Sequence, residues 1–251
     1  IERAKELLFK AESLKEYAMH LKVETAGELH LGVIPTIAPY LLPMFLMKFT
    51  EAYPDLKVYI KEMLTGDIIS KLKSGELDVG LLATPLSDHT LEERVLYYEE
   101  FYAYGSTGKQ KKNKLLLPKE IDLNQLWLLE EGHCMRNQVF NLCELKKKDI
   151  HSDKLHYEAG SIETLINLVD NSHGITIVPY LATLLLKPAQ QQQLQQFADP
   201  KPVREVSLVT MKNFPRKKLL DNLFASITGI VPPFMKASGK KQVASIDDIL
   251  D

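Results

Sequence analysis

Glu130-Glu131-Gly132-His133-Cys134-Met135-Arg136-Asn137-Gln138, followed by Cys143 and then by a basic run at 146–148, is the stretch of this 251-residue sequence whose residue types could do chemistry. A strand ending at Glu130, a tight turn at Gly132 and a helix beginning about Cys134 place a thiol at a helix N-terminus, beside His133 and near Arg136. The partial positive charge of a helix N-terminus and neighbouring cations favour the thiolate, the reactive form of cysteine. Glu130 and Glu131 act in the opposite direction. The same residues also fit an inert thiol buried as a small hydrophobe.

The second cysteine adds a geometric constraint. On one continuous helix, nine residues separate a pair of positions by about 13 Å of rise, and about 100° per residue turns them to opposite faces. A disulfide needs Cα atoms within about 7 Å. Joining Cys134 to Cys143 therefore requires the helix between them to unwind, which is the behaviour of a redox switch. Two unrelated thiols would show the same spacing, so both readings stand. Other chemistries find little support. There is no Gly-x-Gly-x-x-Gly, Gly108-Lys109 lacks the rest of a phosphate-binding loop, and neither His-Glu-x-x-His nor Cys-x-x-Cys occurs. No nucleotide cofactor and no dedicated metal site are expected.

The elements that must position these residues follow from periodicity. Ala4, Ala11 and Ala18, with Leu7, Leu14 and Leu21, form a heptad seam that predicts a dimerising linker helix over 1–25. Beyond Gly27 short strand patterns alternate with helical ones, the signature of an α/β fold. Strands are predicted at 29–33, 58–60, 77–83, 101–104, 127–129, 155–157, 175–178 and 203–210. Helices are predicted at 39–53, 68–73, after Gly132, 161–171 and 217–230, with 190–196 a helix or loop insertion and the residues from Ala237 a tail. Ligands of such folds sit at the carboxyl ends of strands and at helix N-termini. With 31 basic and 33 acidic residues the net charge is -2, which supplies no broad field for nucleic acid or an anionic membrane. Two cysteines and no Asn-x-Ser/Thr sequon fit a reducing cytoplasm. No apolar run reaches the roughly 20 residues of a membrane span. The start at Ile1, inside the heptad pattern, leads us to expect a piece of a longer protein.

The run from Gly132 to Gln138 with Cys143 resembles the OxyR hydrogen-peroxide sensors among the LysR-type transcriptional regulators. So do Gly32-Val33-Ile34-Pro35-Thr36-Ile37-Ala38-Pro39-Tyr40-Leu41-Leu42-Pro43 and Ser161-Ile162-Glu163-Thr164-Leu165 with Gly174-Ile175-Thr176-Ile177-Val178-Pro179 after it. The likeness runs from the linker helix to about Ile230. It implies two Rossmann-like subdomains of the type 2 periplasmic-binding-protein kind, behind a linker helix, with crossovers near Glu99 and Arg204. The expected boundaries are 27–98 plus 206–235 for subdomain I, 99–205 for subdomain II and 237–251 for the tail. The resemblance further implies that Cys134 is the peroxidatic thiol and Cys143 the resolving one. It places Thr36, Thr65, His133, Arg136, Asn137 and Gln138 around a peroxide pocket. Without it, Thr36 reads as a cap beside proline and Thr65 as an N-cap ahead of Gly66-Asp67. One departure stands out: many relatives carry Asp where this chain has Asn137, and Asn cannot act as a base near neutral pH.

The partners implied are hydrogen peroxide and DNA, the latter through an N-terminal winged helix-turn-helix outside this sequence. A homodimer or homotetramer, RNA polymerase, and a glutaredoxin or thioredoxin system complete the set, in the cytoplasm, with no enzymatic turnover. Two alternatives remain beside it: a regulator that binds a small metabolite in the interdomain cleft, and a thiol peroxidase or Cys-His hydrolase using Cys134 and His133.

Overall fold

The computed structural model describes residues 25–106, 115–122, 125–143, 157, 159–172, 174–236 and 241–246. The expected linker helix, Thr25 apart, the basic run at 146–148 and residues 155–156 of an expected strand lie outside them. The chain divides into two compact units. Unit 1 comprises Ile1–Leu82, Asp88–Leu96 and Ser207–Val231, and unit 2 comprises Ala83–Ser87, Tyr97–Val206 and Pro232–Asp251.

In unit 1, β1 (Gly27–Val33) buries Leu29, Leu31 and Val33, the alternate residues of a strand with one face in a core. It pairs in parallel with β2 (Leu56–Glu62), Val33 opposite Glu62, and with β3 (Val79–Thr84). Parallel neighbours need helical crossovers. These are α1 (Ala38–Ala52), which buries Ala38, Leu41, Phe45 and Phe49, and α2 (Thr65–Ser74), which buries Ile68 and Leu72. Leu219, Leu223 and Ile227, four residues apart, form the buried stripe of the late helix at Lys217–Ile230, whose bounds equal those predicted.

Two long strands, β4 (Leu91–Ser106) and β7 (Lys201–Met211), run through both units. They change unit after Leu96 and after Val206. The helix of the cysteine segment is α3 (Cys134–Leu142), and α4 (Ile162–Ser172) follows it. Ser161 Oγ accepts the Thr164 amide at 3.2 Å, the capping that the sequence predicts for α4. Strand β5 (Gly174–Pro179) pairs antiparallel with β4. The short helices α5 (Tyr180–Thr183) and α6 (Pro188–Gln191) lead to β6 (Leu194–Gln196), also antiparallel to β4. The late helix of unit 1 is α7. Near the C-terminus β8 (Lys241–Val243) pairs in parallel with β7. The main strand order is β2-β1-β3-β7-β4-β5.

Four local expectations differ from what is found. The predicted strand at 127–129 is a loop stitched down by the isolated bridges Leu126 to Ile175 and Leu129 to Ala159, too short for a ladder. Strand β4 begins at Leu91 rather than near Phe101, because Glu92, Glu93, Arg94, Glu99 and Glu100 interrupt its apolar pattern. The Gln-rich stretch, expected as a helix or loop insertion, starts in the helix α6 but continues as the strand β6, with Gln195 Nε2 donating to the Gly105 carbonyl at 3.1 Å. Residues 241–246, expected within a tail, form β8 and bury Ala244. Among the described residues no helix is long and apolar enough to cross a membrane.

Gly105 is a position that only glycine fills. Its φ is +102°, and an added Cβ would lie 2.3 Å from the Gly174 carbonyl oxygen and 2.5 Å from Val169 Cγ1. Strain and overlap add there. Gly105→Ala is expected to lower stability by about 2–4 kcal/mol, read as a drop in the urea midpoint; an unchanged midpoint would contradict the close approach of β4 and β5.

Candidate functional site

The loop before α3 is built by backbone bonding rather than by a strand. The Trp127 amide donates to Ile175 O at 2.9 Å, the Glu130 amide to Ala159 O at 3.0 Å, and Thr176 Oγ1 to Trp127 O at 2.9 Å. Gly132, with φ at +90°, makes the turn that a side chain would disfavour. His133 is the N-cap and Cys134 the first helical residue, as the sequence predicts. The helix is continuous to its end, since the Cys143 amide donates to Val139 O at 3.0 Å. Both cysteines are buried and no disulfide joins them.

The two thiols stand in different environments. Burial pushes the Cys143 thiol up to about 12, so it is protonated at neutral pH. Cys134 interacts electrostatically with Arg204, a residue that sequence reasoning marked only as a crossover. Arg204 and Glu99 are both fully buried. Arg204 Nε lies 2.8 Å from Glu99 Oε2 and its terminal nitrogen 2.7 Å from the same atom. Desolvation opposes the charge on Arg204, and Glu99, Tyr97 and Cys134 together hold its pKa above the ordinary value. Nothing in the local sequence could reveal this, because Arg204 is 70 residues beyond Cys134.

The other expected site residues are placed as follows. His133 is buried, with Nε2 3.5 Å from Glu130 Oε1; burial outweighs that carboxylate and holds the imidazole below its usual value, hence neutral at pH 7. Arg136 donates to Leu129 O at 2.8 Å and its guanidinium lies 5.4 Å from the Phe140 ring centre. Asn137 Nδ2 donates to Ile246 O at 3.3 Å, and Gln138 Nε2 to Ala244 O at 3.3 Å. Among the described residues the buried Gln138 Oε1 atom has no hydrogen-bond partner.

Thr36 and Thr65 belong to unit 1, whereas the residues around Cys134 belong to unit 2. Each threonine lies three positions beyond the last residue of its strand, and those residues, Val33 and Glu62, are register partners. The two therefore follow the same end of a parallel sheet. Thr36 is buried and precedes Ile37, the N-cap of α1. Thr65 is the first residue of α2 and not its cap, a role that falls to Leu64. Its hydroxyl, freed from capping, is buried and has no hydrogen-bond partner among the described residues. Among the described residues no cluster of three His, Cys, Asp or Glu side chains could hold a metal ion.

A family model described as the LysR substrate binding domain matches residues 22–229. The chain belongs to this family. A hydrogen peroxide-inducible genes activator of Haemophilus influenzae is 29% identical over 91% of this chain and 75% of its own length. A probable activator of the same description from Streptomyces viridosporus is 32% identical, covering 90% of this chain and 72% of its own. The crystal structure of OxyR from Porphyromonas gingivalis superimposes with a TM-score of 0.79 at 34% identity, covering 88% of this chain and all of that one. The chain is thus an OxyR-like regulatory domain of the LysR type, with the type 2 periplasmic-binding-like fold that the sequence resemblance implied. Its relatives are transcriptional regulators rather than enzymes.

Two outcomes follow from the electrostatics. Alkylation of Cys143 by iodoacetamide at pH 8 is expected to be at least about a hundredfold slower in the native protein than in urea, since only a trace is thiolate; equal rates would contradict its burial. Arg204→Met strands the Glu99 carboxylate in the interior, and the expected loss is about 3–5 kcal/mol of unfolding free energy, measured by urea titration.

Proposed function

We propose that the domain senses hydrogen peroxide through Cys134 and Cys143 and passes the signal to DNA-binding domains of the same assembly. The observation that carries this reading is the pairing of a buried thiol at a helix N-terminus, close to a fixed internal cation, with a second thiol protonated at the far end of the same helix. A cation and a helix N-terminus both favour the thiolate. The Cys134 thiolate attacks one peroxide oxygen, the O–O bond breaks, and hydroxide leaves to take up a proton as water. The sulfenic acid then meets Cys143: an S–S bond forms, the S–O bond breaks and a second water leaves.

Peroxide must be held by donors and acceptors. Gln138 Oε1, without a hydrogen-bond partner among the described residues, is a buried polar atom of the kind that a small polar ligand or water satisfies. With Gln138 we assign His133 and Asn137, all of unit 2, to the pocket. Arg136, bonded to Leu129 O and set over Phe140, serves to fix the turn into α3. Refolding of the segment between the cysteines is the step that would alter a dimer or tetramer and its grip on DNA, a linkage that requires two arrangements of the assembly. A thioredoxin or glutaredoxin system would reset the disulfide, and the reaction would proceed once per cycle.

The test is peptide mapping by mass spectrometry before and after one equivalent of hydrogen peroxide, beside Cys143→Ser. The expected result is a rapid Cys134 to Cys143 crosslink, replaced in the variant by sulfenic or over-oxidised Cys134. Two intact thiols after minutes would exclude the peroxide reading and turn attention to metabolites.

A further inference from the structure

Three consecutive backbone carbonyls near the C-terminus are captured by side chains of the cysteine helix. Ala244 O accepts Gln138 Nε2 at 3.3 Å, Ser245 O accepts Asn141 Nδ2 at 3.0 Å, and Ile246 O accepts Asn137 Nδ2 at 3.3 Å. All three donors lie between Cys134 and Cys143 on α3. The other side of the segment is held by β7: β8 pairs in parallel with residues 201–203, and the Ala244 amide donates to Val203 O at 2.8 Å. Val203 immediately precedes Arg204, the cation that interacts with Cys134. Residues 241–246 thus bridge the redox helix and the strand that carries its internal charge.

This arrangement requires a helical α3. Asn137 and Asn141 are one turn apart and Gln138 is adjacent, so one helix face presents the three amides to three successive carbonyls. Closing the disulfide brings Cα atoms that stand about 13 Å apart along the helix to within about 7 Å, which cannot occur while the turns between them persist. The three donors are then no longer on one face.

We propose that residues 241–246 are a latch on the redox helix: their carbonyls hold Asn137, Gln138 and Asn141 in the dithiol state, and formation of the Cys134 to Cys143 disulfide releases the segment. Asn141 is a positioning residue in this device, acting on the thiols only through the helix. The identity of residue 137 gains a reason as well, because an amide donates to the Ile246 carbonyl whereas a carboxylate there would face another acceptor. The inference rests on disulfide formation, and the test uses diamide as well as peroxide so that the two readings fail separately. Diamide takes two electrons and two protons from the thiols, becoming the hydrazine as the S–S bond forms.

The experiment is hydrogen exchange by mass spectrometry on the full chain, with disulfide mapping of the same samples. In the diamide-oxidised protein, amides of 241–246 are expected to exchange at least tenfold faster than in the dithiol form, and dithiothreitol should restore protection. In dithiol Asn141→Leu, exchange should rise in 241–246 and 134–143 but not in β5, which separates latch opening from general destabilisation. Closure of the disulfide by diamide should be at least threefold faster in that variant. Unchanged exchange at 241–246, in fully disulfide-bonded protein or in the Asn141→Leu dithiol, overturns the latch, as does failure of diamide to form the disulfide at all. A disulfide with released latch under diamide, beside intact thiols under peroxide, supports the latch and removes the peroxide reading.

Discussion

The buried ion pair between Glu99 and Arg204 is the interaction on which unit 2 depends. Two full charges are removed from water, and their attraction offsets that cost only if the remaining polar capacity is also satisfied. Glu99 meets the condition by accepting from Arg204 on one oxygen and from the Leu181 amide, at 2.7 Å, on the other. One carboxylate therefore ties β4 to β7 and to the start of α5. Chains can cross between subdomains with apolar residues alone. A charged pair at this place puts a guanidinium with its carboxylate partner in a low-dielectric interior, where charge interactions are strong. The pair is thus a structural tie, and Arg204 also interacts electrostatically with Cys134.

The cysteine helix has the opposite character. It is nine residues long and is held by contacts made from its side chains and its entry loop. Short helices are marginal alone and take their stability from such contacts. In the proposed function, this is what lets α3 convert a bond between two sulfurs into a rearrangement. Cys143, at the helix end, has its thiol pushed up by burial and is protonated at neutral pH, which agrees with the proposed role of Cys134 as the thiol that reacts first.

Much of this was legible in the residues. The Gly132 turn, the helix start at Cys134, the Ser161 cap and the bounds of α7 rest on local rules of periodicity and capping, which a sequence displays directly. The motif around Cys134 likewise pointed to thiol chemistry, and its spacing to Cys143 established that one helix cannot hold their disulfide. The tertiary structure decided what depends on distant pairs. The electrostatic interaction of Arg204 with Cys134, the reduction of 127–129 to two bridges, and the β8 pairing all join residues many positions apart. The latch was least legible of all, because its acceptors are main-chain carbonyls of Ala244, Ser245 and Ile246. Every residue carries such a carbonyl, so side-chain identity cannot announce which ones a helix will hold; only the folded path of the chain brings them to Asn137, Gln138 and Asn141.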